Sequence, residues 1–162
     1  MPISVASPPE IRGLARPVRA LVRLALALEG LRPGEIAVVM TRDAALRALN
    51  RRFRAPDRTT DVLSFAYPAP TPRASGRGAR TAPPVSGDLV ISLDRVRVQA
   101  RRYRVSRGRE TARLVLHGTL HLAGLDHGTA PERMRMRRKE ARALRQAAAH
   151  VAEIDRALDA AG

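Results

Sequence analysis

Cysteine is absent from this 162-residue chain, which removes disulfides and thiolate metal ligands together. Any metal must then be held by imidazole or carboxylate groups. The lack also suits a reducing compartment. Aromatic residues are nearly missing: Phe53, Phe65, Tyr67 and Tyr103 are the whole set. A core must therefore be built from Leu, Val, Ile and Ala, and few rings remain for stacking on nucleic-acid bases. Long hydrophobic runs are lacking too. The most apolar early stretch, Leu21 to Leu28, is broken by Arg23 and closed by Glu29. It is too short and too charged to span a bilayer and has no secretory layout, so the expectation is a soluble, cytoplasmic protein with no membrane partner. Lysine occurs once, at Lys139, so all but one of the 30 basic residues are arginine, and the formal charge is +15. Such a charge favours a polyanionic partner, although the arginine skew also fits a nucleotide bias in the genome. With 44% hydrophobic residues, the length suits a single domain over 1–162.

Three of the four histidines lie within eleven residues, His117-Gly118-Thr119-Leu120-His121-Leu122-Ala123-Gly124-Leu125-Asp126-His127. His117 and His121 are four apart, so on a helix they share a face, one turn above the other. Gly124 stands where a left-handed turn would end that helix and bring His127 back toward the same point. Three imidazoles on one metal leave a fourth position for water or substrate, the arrangement of a catalytic zinc site rather than a structural one. The alternative is three histidines satisfied by hydrogen bonds near a core. The spacing also matches the zinc frame of metzincin proteases, in which a glutamate acting as general base follows the first histidine. Here that residue is Gly118, so the ligands are kept and the base is lost. His150, isolated among alanines, reads as a helix-surface or packing residue.

Periodicity predicts an α+β fold, a small mixed β-sheet with packed helices, in which a central helix carries the metal site. Helices are expected from Pro17 to Leu28 with Gly30 as stop, over Asp43 to Phe53, over Leu93 to Tyr103 and over the apolar segment Arg109 to Ala123. Strands are expected over Glu35 to Thr41, Asp61 to Ala66 and Gly87 to Ser92, with an edge strand near Ile3 and Val5. The Pro/Gly/Arg-rich segment 67–86 predicts a mobile loop. Thr129 to Glu132 reads as a capping box opening one long last helix, its buried stripe Met134, Ala141, Leu144, Ala148, Val151, Ile154 and Leu158.

The segment Leu49-Asn50-Arg51-Arg52-Phe53-Arg54-Ala55-Pro56-Asp57-Arg58-Thr59-Thr60-Asp61-Val62-Leu63-Ser64-Phe65, the run Gly87-Asp88-Leu89-Val90-Ile91-Ser92 and the histidine run occur in that order. Together they resemble the bacterial YbeY family of metal-dependent endoribonucleases, through residues 35 to 135. The resemblance implies a single-strand-specific endoribonuclease that binds one Zn2+, matures the 3′ end of 16S rRNA and takes part in ribosome quality control, with an rRNA precursor and the small ribosomal subunit as partners. It implies that His117, His121 and His127 are the metal ligands and that Arg54 is a functional arginine; on the residues alone Arg54 is an exposed, solvated side chain. Thr60 and Asp61 read as local backbone acceptors, Ser64 as packing or cleft lining, and Asp88 as turn chemistry. Asp126 reads as an acceptor orienting an imidazole. Met134 and Met136 sit at helical spacing, which favours core over a methionine turn.

Two other readings stay open on the sequence. One is a metallopeptidase-like hydrolase, supported by the zinc frame and opposed by Gly118. The other is a non-catalytic RNA-binding factor of ribosome assembly, acting through its basic surface while the metal is mainly structural. Three imidazoles favour zinc over magnesium or calcium.

Overall fold

The computed structural model describes residues 2–53, 62–68, 82–125 and 128–162, the side chains of 49–53 apart. Its elements are β1 (Ile3–Ala6), α1 (Ala15–Leu28), β2 (Pro33–Thr41), α2 (Asp43–Phe53), β3 (Val62–Ala66), β4 (Val85–Ser92), α3 (Leu93–Tyr103), α4 (Arg107–Leu122), α5 (Ala130–Gln146) and α6 (Ala148–Ala160). The strands make one sheet in the order β1-β2-β4-β3. β1, β2 and β4 run parallel, and β3 is antiparallel to β4. The expected α+β architecture with a small mixed sheet is the one observed.

Alternation along the strands decides which face is covered. Ile3 pairs with Ile36, Val38 with Leu89 and Met40 with Ile91, and all six are at most 2% exposed. They join Val18, Leu21, Val22 and Leu26 of α1 and Leu114, Val115, Leu116 and Leu120 of α4 in one core. At about 1.5–3 kcal/mol per fully buried aliphatic side chain, the four from α4 outweigh any surface ion pair, worth ~0–1 kcal/mol. Among the described residues the opposite face is closed at one end only. There Leu46 of α2 packs with Leu63, Val90 and Phe65, while Val39, paired with Val90, is 37% exposed. α4 thus packs on the sheet at β3 and β4, beside α1, and touches α1, α3, α5 and α6. The helix expected to be central is central.

Most boundaries follow local chemistry. α2 and α3 occupy their expected ranges; Ser92 caps α3 by accepting from the Arg95 N–H at 3.0 Å. α1 starts at Ala15, two residues before Pro17, because proline's missing N–H costs nothing in a first turn. Four readings need correction or restriction. β4 begins at Val85, inside the segment expected to be loop, and the Tyr67 N–H still donates to the Ser86 carbonyl at 3.0 Å; residues 69–81 of that segment lie outside the described residues. Asp61, the expected first residue of β3, also lies outside them. α4 begins at Arg107, capped by Ser106 at 3.0 Å. The single last helix is two, α5 and α6, separated at Ala147 (φ −100°, ψ 9°). Its inward stripe is Met136, Glu140, Ala143 and Ala147, then Ile154, Ala157 and Leu158. Met134 is 49% exposed, because the inward face of α5 is phased on Met136, Glu140 and Ala143, and Met134 falls off that face.

Candidate functional site

α4 builds the site by presenting two unlike faces. Its apolar side meets the sheet at Gly118, where a Cβ would stand 2.8 Å from Leu89 Cδ2 and 3.3 Å from Val62 Cγ2. Position 118 therefore points into the sheet and offers no place for a general base beside the histidines. Arg109, Arg113, His117 and His121 follow one another at four-residue spacing along the helix, a stripe roughly 18 Å long at about 1.5 Å per residue. His121 is exposed, and the His117 side chain is 25% exposed.

His117 is held from behind. The carboxylate of Glu140, a residue only 9% exposed on α5, accepts a hydrogen bond from His117 Nδ1–H. With Nδ1 engaged, Nε2 is the nitrogen that presents a lone pair to a metal. Glu140 was not among the residues singled out from the sequence. Its signal was present: Met136, Glu140, Ala143 and Ala147 keep one inward helical spacing, and a carboxylate on such a stripe needs a partner.

The end of α4 turns as Gly124 predicts. Gly124 adopts φ +97°, its N–H donates to the His121 carbonyl at 3.0 Å, and the Leu125 N–H donates to Leu120 at 3.1 Å. That is a Schellman termination, which reverses the chain directly after the second histidine. His127 and Asp126 lie outside the described residues, as do Arg54, Thr60 and Asp61. Among the described residues no group of three or more His, Asp or Glu side chains is placed to hold a metal. The donors that are described suit one: two imidazoles a helical turn apart, one braced by a buried carboxylate, and no thiolate in the chain.

The remaining candidates divide. Ser64 is half-buried and pairs with Leu89, on the sheet face that α4 covers, in keeping with packing or cleft lining. Asp88 corrects the turn reading: it is the fourth residue of β4 and accepts a hydrogen bond from the Tyr67 hydroxyl. That bond, with slight burial and the charges of Asp88 and Glu35, raises the Tyr67 pKa above its ordinary value of 10.0. Met136 is buried core and Met134 is surface. His150 is partly buried on α6, as a packing residue would be. Lys139, the one lysine, donates to Glu29 at 2.7 Å and ties α5 to the end of α1.

The chain has relatives among known proteins. The family model described as endoribonuclease YbeY matches residues 9–148. A protein named endoribonuclease YbeY from Anaeromyxobacter sp. strain Fw109-5 is 42% identical over 137 residues, 85% of this chain and 67% of that protein. Its namesake from Desulforamulus reducens is 39% identical over 128 residues, 78% of this chain and 82% of the relative. In fold, the solution structure of TM1509 from Thermotoga maritima is similar with a TM-score of 0.58 at 23% identity, over 90% of this chain and 88% of that one. The family model extends from before α1 to the first residue of α6, across the whole histidine-bearing core, and on the strength of it and of these relatives the chain belongs to the endoribonuclease YbeY family.

Proposed function

We propose that this chain is a metal-dependent endoribonuclease that cuts single-stranded RNA during maturation of the 16S rRNA 3′ end and in ribosome quality control. Family membership supports the reaction class, hydrolysis of RNA phosphodiester bonds. The observation that carries the site is the His117–His121 pair on α4, with the His117 ring fixed by the buried carboxylate of Glu140. His117, His121 and His127 are proposed as ligands of one Zn2+, and Arg54 as the group that binds the reacting phosphate.

When bound, the ion supplies Lewis acidity toward water and a phosphate oxygen. The protein's own part is placement. Glu140 holds His117 in one tautomer and one orientation, and the buried aliphatic side of α4 keeps both rings on a rigid element. Arg54 would offer a planar fork of donors to the charge that builds on the phosphate. The arginine-rich surface gathers the polyanion, and the small ribosomal subunit with its rRNA precursor is the proposed partner. No described helix is long and apolar enough to cross a membrane, and the cytoplasm is the proposed location.

The peptidase alternative is opposed by the orientation of position 118, into the sheet. A matched set of substrates tests the proposal: single-stranded RNA, duplex RNA, single-stranded DNA and unfolded casein, each with metal-loaded protein and with His121→Ala. Expected are cleavage of single-stranded RNA alone, loss on chelation, and loss in His121→Ala with RNA binding retained. Metal content should drop in His117→Ala, His121→Ala and His127→Ala and stay unchanged in His150→Ala. Metal-dependent casein cleavage with RNA left intact would overturn the proposal.

A further inference from the structure

We propose that the groove between α4 and α5 is the track along which single-stranded RNA leaves the histidines, with Arg109, Arg137 and Arg145 holding its phosphates. This rests on the endoribonuclease reading and adds the path of the strand. The groove has an open volume of about 390 Å³ and is lined by Arg109, Arg137, Glu140, Ala141, Leu144 and Arg145. Its cationic walls come from two helices, and its floor is small and aliphatic. The one acid among its described lining residues, Glu140, is 9% exposed and already accepts from His117, so it presents little negative charge to a ligand.

The groove adjoins His117 through the carboxylate that braces it. Glu140 is at once a wall of the groove and the brace of His117. Arg109 lies eight residues before His117 on the same stripe of α4, roughly 12 Å along the axis. A stacked single strand at about 3.4 Å per step would place three to four phosphates over that distance. Charge bookkeeping points the same way. Arg113 pairs with Glu110 at 2.7 Å, and Arg107 with Asp159 at 3.0 Å, whereas Arg109, Arg137 and Arg145 have no carboxylate partner among the described residues. Among the described residues no aromatic ring lines the groove, so it would grip backbone and not bases, with little sequence preference and a strong salt dependence.

The test is binding of a labelled single-stranded oligoribonucleotide across a salt series by wild type, by the triple variant Arg109→Gln/Arg137→Gln/Arg145→Gln, and by a charge-matched control on α3, Arg97→Gln/Arg101→Gln/Arg102→Gln. Three lost phosphate contacts should flatten the slope of log affinity against log salt by about 2, so that between 50 and 200 mM salt wild type loses roughly twentyfold more affinity than the groove variant. The groove variant should raise KM and spare kcat, the corresponding triple lysine variant should restore most of the binding, and the α3 control should stay near wild type. If the triple variant is destabilised, the three single variants carry the test, each removing about 0.7 from the slope. Should wild type bind and cleave RNA while the groove variant matches the α3 control, the track is wrong and the endoribonuclease reading stands. Should wild type neither bind nor cleave single-stranded RNA, that reading fails and the track falls with it.

Discussion

Glu140 shows how one side chain can do structural and chemical work together. A carboxylate on an inward stripe is tolerated because the His117 Nδ1–H satisfies it, and the same bond sets the ring that faces the site. Glu140→Ala should weaken metal binding by about 10–100-fold in a chelator competition. Glu140→Gln should lose less, since an amide oxygen still accepts from Nδ1–H. Unchanged affinity with a lowered melting temperature of the metal-free protein would mean that the bond serves only the fold. Tyr67 gives a pH-dependent counterpart. Its hydrogen bond to Asp88, the first cause, holds its pKa above 10.0. A raised folded pKa means that this bond contributes in full below the unfolded value and is lost as pH rises through the folded one. In a Tyr103→Phe background, ultraviolet titration should find Tyr67 ionising above 10.0, and Asp88→Asn should bring it back toward the ordinary range.

At the scale of elements, close approach between helices is the determinant. Near the start of α4, the Gly108 N–H donates to Asp155 of α6 at 2.6 Å, and a Cβ at 108 would stand 2.5 Å from the Val151 carbonyl oxygen. Backbone cannot yield as a side-chain tip can. Gly108→Ala should therefore cost about 2 kcal/mol, overlap outweighing the better helix propensity of alanine, a fall of roughly 4–8 °C in Tm for a chain this size. An unchanged Tm would show that α6 shifts freely against α4. The elements legible in the sequence are those that carry their own punctuation: Ser92 before α3, Gly124 after α4, Thr129 before α5. The division of α5 from α6 was not legible, because Ala147 is a good helix former and nothing local marks it as a break. The inward phase of α5 was hidden for a related reason. Its buried positions include a glutamate, and its surface carries Met134, so apolar pattern and burial disagree.

Over the whole molecule, sequence and structure each supply a different half of the site. The histidine spacing stated which side chains should meet, and α4 confirms the face shared by His117 and His121, but His127 and Arg54 fall outside the described residues. Glu140 and the groove needed three dimensions, because 23 residues separate His117 from Glu140 and only the packing of α5 on α4 joins them. The Lys139–Glu29 pair has a practical consequence at this same scale. Since the chain holds a single lysine, apart from the terminal amine it has one aliphatic amine to acylate, at the seam between α1 and α5. In the folded protein that amine is engaged by Glu29 at 2.7 Å and its side chain is 32% exposed. Its rate of acylation, followed by mass spectrometry, becomes a built-in clock for separation of that seam: slow in the native state, faster in Glu29→Gln, and fastest in denaturant.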